Sequence, residues 1–170
     1  MKICILIFFL MATSTTKLTR SILLTRFARF AVASLKMRLA SLRFASLRFA
    51  RRRSFVLFPK VDDALKNNYG TEAFNPLGLV PRAVRMIKEK YGEEVTVITD
   101  IALDPYSDQG HDGVVLDGKI VNDLTINQLC KQAVCQARAG SDVVAPSDMM
   151  DGRVGALRDA LDSEGFVDVR

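Results

Sequence analysis

Residues 100 to 113 read Asp-Ile-Ala-Leu-Asp-Pro-Tyr-Ser-Asp-Gln-Gly-His-Asp-Gly, so Asp100, Asp104, Asp108 and Asp112 crowd one short stretch with His111 and two glycines. An apolar run, Val95 to Leu103, leads directly into it. Hard oxygen donors at this density suit Mg²⁺ rather than zinc, which favours cysteine or histidine. A second polar loop, Ala145-Pro-Ser-Asp-Met-Met-Asp-Gly-Arg153, also follows an apolar segment. It supplies Ser147, Asp148, Asp151 and Arg153. The plain alternative for both loops is a solvated turn whose aspartates and serine cap backbone amides. His111 is the only histidine in the chain, and its flanking glycines predict a tight turn that it helps to order.

The elements that must position these loops alternate in type from Phe55 onward, the pattern of a parallel sheet with covering helices. Phe55 to Phe58 reads as a short strand closed by Pro59. Val80, Ala83, Val84 and Ile87 recur at helical spacing, with Pro81 in the first turn and Gly92 at the end. Val95 to Leu103 is the next strand. Asp117-Gly118 predicts a hairpin between Val114–Leu116 and Lys119–Val121. A helix is expected from a cap at Asp123 to Ala139, burying Leu124, Leu129, Ala133, Val134 and Ala137. Asp142 to Pro146 is a further strand, Val154 to Glu164 a further helix, and Phe166 to Val169 the start of a fourth strand. Both polar loops then lie beyond the carboxyl ends of strands.

Charge divides the chain sharply. Residues 1 to 53 hold 12 of the 24 Lys and Arg residues and no acid, leaving 12 bases against all 19 acids in residues 54 to 170, a net of −7 there. The overall +5 averages two unlike parts and does not point to a nucleic acid partner. Residues 1 to 12 resemble a secretory signal, but the Ser, Arg, Ala and Leu-rich, acid-free stretch that follows has the composition of an organelle transit peptide. The pentapeptide Ser-Leu-Arg-Phe-Ala repeats at 41 to 45 and 46 to 50, as in low-complexity sequence. Residues 1 to 53 are therefore expected to be a disordered basic leader, and residues 54 to 170 the folded domain. No apolar run reaches membrane-spanning length. Cys130 and Cys135, five apart on a helix, face different ways and form neither a disulfide nor a shared metal site.

Several segments carry a family resemblance: Val56-Leu-Phe-Pro-Lys-Val-Asp-Asp-Ala-Leu65, Gly78-Leu-Val-Pro-Arg82, the two polar loops, Leu129-Cys-Lys-Gln-Ala-Val134 and Ala137-Arg-Ala-Gly140. Residues 55 to 170 resemble porphobilinogen synthase, also called δ-aminolevulinate dehydratase, of the plant and algal type. The resemblance implies a (β/α)₈ barrel, of which this chain carries about three β/α units. It implies condensation of two 5-aminolevulinate molecules to porphobilinogen with loss of water, a plastid location and a homo-octamer. Where the family can carry three zinc-binding cysteines, this chain has Ala102, Asp104 and Asp112. The implied ligands of Mg²⁺ are thus Asp104 and Asp112, with Asp108 a weaker candidate. Ser147 and Asp148 match positions near the lysine-bound substrate. Asp100 is expected to point into the barrel, and Arg153, a further neighbour of the substrate site, to pair internally with Asp148 or Asp151 in preference to a substrate carboxylate. The family's two Schiff-base lysines belong to strands beyond Arg170, so no catalytic residue is expected here, and Lys119 and Lys131 are not substitutes. The competing reading is a non-catalytic fragment that binds metal or associates with the full-length enzyme.

Overall fold

The computed structural model describes residues Lys2–Phe8 and 53–170, which belong to one compact unit. The elements are strands β1 (Lys2–Phe8) and β2 (Arg53–Lys60), helix α1 (Leu79–Tyr91), strands β3 (Val95–Ile101), β4 (Val115–Leu116) and β5 (Lys119–Ile120), helix α2 (Asn122–Arg138), strand β6 (Val143–Pro146) and helix α3 (Arg153–Ser163). Short tight turns of 3₁₀ helix sit at Asp63–Leu65, Thr71–Phe74 and Gly92–Glu94. The main sheet has the order β1-β2-β3-β6. β2, β3 and β6 run parallel, with a helix after each, while β1 joins the edge of β2 antiparallel. The expected α/β architecture with a parallel sheet is therefore what the chain adopts.

Sequence pattern accounts for most of these elements. In β3, Val95, Val97, Thr99 and Ile101 alternate onto one buried face. Val95 and Val97 pack with Leu57 of β2 against Val80 and Val84 of α1. A larger cluster gathers Ile101, Leu103, Leu129, Ala133, Val144, Leu157 and Leu161 between the strand ends, α2 and α3. Pro81 falls within the first turn of α1, where its missing N–H costs nothing. At the amino ends of the strands, Lys88 of α1 meets Asp142 at 2.6 Å, and the other Asp142 oxygen accepts the Val97 N–H at 2.6 Å. That carboxylate ties α1, β3 and β6 together.

Four expectations are corrected. Lys2–Phe8 falls in the expected disordered leader, yet it is a strand. Its Ile-Cys-Ile-Leu-Ile-Phe run has strong β propensity, and the open edge of β2 offers unpaired backbone groups. The rest of the leader lies outside the described residues. Asp123 does not cap α2: the cap position is Val121 without a side-chain bond, and Asp123 stands in the first turn. In the same turn the Thr125 hydroxyl donates to the Val121 carbonyl at 2.7 Å and accepts the Val114 N–H at 3.0 Å, tying the helix start to the preceding hairpin. Phe166 to Val169 forms a turn, not a strand. Arg158 holds it by donating to the Phe166 and Val169 carbonyls, and only Arg170 exchanges strand-like bonds with Asp142 and Val144. Lastly, the buried side of α2 includes Thr125, Gln128, Gln132 and Gln136, which the apolar pattern did not select.

The Asp117-Gly118 hairpin forms as expected, with left-handed φ values of 49° and 74° at those two residues. Gly113, just before it, is needed for space: an added Cβ would stand 2.5 Å from Ile120 Cγ2 and 2.8 Å from Thr125 Oγ1. Gly113→Ala is expected to cost about 1–2 kcal/mol by overpacking. Urea unfolding checks it, and an unchanged midpoint would mean that the hairpin side chain moves aside freely.

Candidate active site at the strand ends

Parallel pairing sets Asp100 opposite Ala145 and Ile101 opposite Pro146, so the two polar loops leave the sheet side by side. Because Val97, Thr99 and Ile101 face the helices, Asp100 faces the other side of the sheet. There the Ser147 hydroxyl donates to Asp100 Oδ1 at 2.6 Å, and the Ser147 N–H donates to the Ile101 carbonyl at 3.2 Å. Asp148 is buried. Its Oδ1 accepts the Met150 N–H at 2.7 Å, and its Oδ2 lies 3.0 Å from Arg153 Nε. That second contact lacks the alignment of a hydrogen bond, so the attraction is Coulombic. Arg153 also donates to the Met150 carbonyl at 2.9 Å, closing the loop on itself. Arg153 thus pairs with Asp148 rather than Asp151.

Neighbouring segments brace the acidic loop. The Tyr106 and Ser107 N–H groups both donate to the Leu103 carbonyl, at 2.9 and 2.8 Å. Asn68 imitates a strand: its side chain donates to the Val115 carbonyl at 2.8 Å and accepts the Val115 N–H at 2.9 Å. Asn122 does the same for the second loop, accepting the Asp151 N–H at 2.8 Å and donating to its carbonyl at 3.2 Å. Gly110 adopts a left-handed φ of 67°, and His111 beside it is exposed.

The site concentrates negative charge. Burial pushes the Asp100 carboxyl above its usual range; the Ser147 hydroxyl opposes this and the charges of Asp112 and Asp148 reinforce it. Asp104, though at the surface, is raised by desolvation and by Asp112 and Asp100. Asp148 is raised by burial, partly offset by the Met150 N–H and by Arg153. Burial also raises the Tyr106 hydroxyl, with the Asp100 charge adding to it. Asp100, Asp104, Asp112 and Asp148 therefore share one field, whereas exposed Asp108 bonds to Gln109 and is not among the charges acting on them. Among the described residues no three His, Cys, Asp or Glu side chains converge closely enough to hold a metal ion directly. The donor set suits a hard cation that keeps part of its water shell.

Two candidate lysines are placed elsewhere: Lys119 is exposed on the hairpin, and Lys131 lies over the Phe74 ring and bonds to Gln128. Cys130 and Cys135 are unpaired thiols that line a cavity of about 460 Å³ with Arg85 and Arg138, apart from the acidic loops. Asn68, Asn122, Thr125 and Gln132 were not selected from sequence. The i, i+4 spacing of Gln128, Gln132 and Gln136 with the apolar face was the available signal.

Acidic and hydroxyl groups gathered at the carboxyl ends of parallel strands mark the class, an α/β protein with polar loops at its strand ends. The chain belongs to the delta-aminolevulinic acid dehydratase family, whose model matches residues 5–170. That match begins well upstream of residue 55, where the quoted motifs start. The chloroplastic delta-aminolevulinic acid dehydratase of Oryza sativa subsp. japonica is 68% identical over 117 residues, covering 68% of this chain and 27% of the relative. Delta-aminolevulinic acid dehydratase 1, chloroplastic, of Arabidopsis thaliana is 66% identical with the same coverage. The chain spans about a quarter of the length of the curated relatives it matches. The crystal structure of delta-aminolevulinic acid dehydratase (porphobilinogen synthase) from Toxoplasma gondii ME49, in complex with the reaction product porphobilinogen, superposes with a TM-score of 0.65. It is 60% identical, over 66% of this chain and 32% of that one.

Proposed function

We propose that this chain is the metal-loop segment of a porphobilinogen synthase, which condenses two 5-aminolevulinate molecules to porphobilinogen with loss of water. The observation that carries the reading is the shared field of Asp100, Asp104, Asp112 and Asp148 at the ends of β3 and β6. The family relationship supplies the reaction. In this reading the α/β segment is part of a (β/α)₈ barrel and its three β/α units are β2–α1, β3–α2 and β6–α3. The chloroplastic relatives and the acid-free leader support a plastid location.

Asp104 and Asp112 are assigned to Mg²⁺, largely through water, with Asp108 the weaker candidate. When bound, such a cation supplies a Lewis acid, or an activated water, near a substrate carbonyl. The chain's own residues do the rest of the work proposed here. Asp100, its proton affinity raised by burial, offers its carboxyl oxygens to a substrate proton, and the Ser147 hydroxyl fixes the direction of that carboxyl. Asp148 and Arg153 keep the second loop folded against substrate, their charges turned on each other. The charges acting on Asp100, Asp104 and Asp148 are other carboxylates and Arg153.

A hybrid tests the reading: residues 54 to 170 replace the matching segment of the rice relative. The hybrid is expected to form porphobilinogen from 5-aminolevulinate, and Asp104→Ala with Asp112→Ala is expected to lower its rate at least ~100-fold, on the scale of an electrostatic contribution to catalysis. An inactive but folded hybrid overturns the assignment. The 170-residue polypeptide by itself is expected to form no porphobilinogen. A second reading, association with a full-length homologue, is favoured by the sheet face away from the helices. There Phe58 is 38% exposed and Ile98 and Val143 are only half-buried. Co-purification of the two chains distinguishes it.

A further inference from the structure

Helix α2 buries Gln132 and Gln136 at 0% exposure and Gln128 at 9%. A primary amide taken out of water is costly unless its donors and acceptors find partners. For Gln132 one partner exists: Nε2 donates to the Asp100 carbonyl at 3.2 Å, a buried contact between residues 32 apart in sequence. Gln132 Oε1 and both amide atoms of Gln136 have no hydrogen-bond partner among the described residues.

The acceptor is as informative as the donor. The Ile101 carbonyl bonds across to Ser147 on the β6 side, and successive strand carbonyls alternate. The Asp100 carbonyl therefore points towards β2, where pairing ends one residue earlier, at Leu57 with Thr99. The sheet leaves that carbonyl without a strand partner, and the Gln132 amide fills the position.

We propose that Gln132 is a positioning residue of the strand-end site: its amide anchors the Asp100 peptide and thereby aims the Asp100 carboxylate at the Ser147 hydroxyl. Fixing a peptide carbonyl sets the backbone torsion at that residue and so the direction of its Cα–Cβ bond. The 2.6 Å bond from Ser147 tolerates little change in that direction. The importance of Gln132 to a reaction rests on the reading of Asp100 as a site residue. The anchoring itself does not.

Gln136, one helical turn further and equally buried, is the matched control, because its amide reaches no partner. The experiment uses the full 170-residue chain, isotope-labelled, as Gln132→Met and Gln136→Met, which remove the amide at similar volume. Gln132→Met is expected to speed hydrogen exchange of the Ser147 amide by ~10-fold, the scale of one lost hydrogen bond, and to shift the Asp100 carboxyl carbon resonance. Exchange of the Val97 amide, held at the other end of β3, stays as in the parent. Gln136→Met leaves the Ser147 exchange and the Asp100 resonance unchanged. The proposal is overturned if the two variants act alike, or if Gln132→Met leaves Ser147 exchange within ~2-fold of the parent, too small for a lost hydrogen bond. Should Gln132→Met fail to fold, the parent chain decides. Its Gln132 side-chain amide protons are expected to exchange at least ~10-fold more slowly than those of exposed Gln109, and equal rates overturn the proposal. None of these readings needs catalysis, so their failure is separate from an inactive hybrid.

Discussion

Asp148→Ala is expected to destabilise the fold by about 2–4 kcal/mol, the largest loss from any single polar side chain at the site. The side chain is wholly buried and does two jobs: it accepts the Met150 N–H and faces Arg153 at 3.0 Å. Alanine removes both, leaving an orphaned backbone donor and a largely buried guanidinium with one bond, to the Met150 carbonyl. The side chain of Arg153 keeps 28% exposure, so partial rehydration holds the loss below that of a sealed ion pair. Asp148→Asn retains an acceptor for Met150 and is expected to cost about 1 kcal/mol. Urea unfolding of the three chains measures both. An alanine variant within 0.5 kcal/mol of the parent, well below the cost of an unsatisfied buried group, would mean that the loop does not depend on Asp148.

Mg²⁺ is expected to raise the melting temperature at pH 7 and to do much less at pH 4. The carboxyls of Asp100, Asp104 and Asp148 all bind protons more tightly in the folded chain than the usual 3.8, chiefly through desolvation. Such groups favour the fold while protonated, and that contribution drains away as pH rises from about 4 through each raised value. At neutral pH the fold carries three disfavoured negative charges with Asp112 adding to them, and a divalent cation relieves the conflict. At one hundred times its dissociation constant it adds about 2.7 kcal/mol, or several degrees for a domain of this size. Calorimetric scans with and without Mg²⁺ at the two pH values give the answer. Equal gains at both pH values, no gain at pH 7, or an undiminished gain in the Asp104→Asn, Asp112→Asn double variant would each sink the metal assignment.

Much of this fold was legible because its signals were local. The valines of β3, the helical recurrence from Val80 to Ile87 and the Asp-Gly turn each needed only neighbouring residues to be read. Both polar loops were expected at strand ends, and they leave the sheet there side by side. What escaped depended on partners distant in sequence. Gln132 looks like a surface residue until the Asp100 carbonyl, lacking a strand neighbour, is set against it. Asn68 and Asn122 declare nothing in isolation, since each does the work of a backbone segment belonging to another part of the chain. Asp123 had the right side chain for a cap, but the helix begins at Asn122, which puts Val121 at the cap and Asp123 inside the first turn. Phe166 to Val169 had strand propensity, yet Arg158 claimed its carbonyls for a turn. Composition gave the acid-free leader a single character, whereas its first residues lie along β2.

The Asn122 and Thr125 fastenings have a mechanical consequence. Asp151 is held by Asn122, the first residue of α2; one residue before it, Val121 receives the Thr125 hydroxyl, and Thr125 in turn holds Val114, two residues from Asp112. The acidic loop and the serine loop are thus stitched to the same end of one helix, although 32 residues separate Asp112 from Ala145 by their numbers. They form a single platform, and a displacement of either is carried by the helix end to the other. Loop grafts between relatives should therefore travel as a pair, with Asn122 and Thr125 included as the hinge pins that keep the platform level.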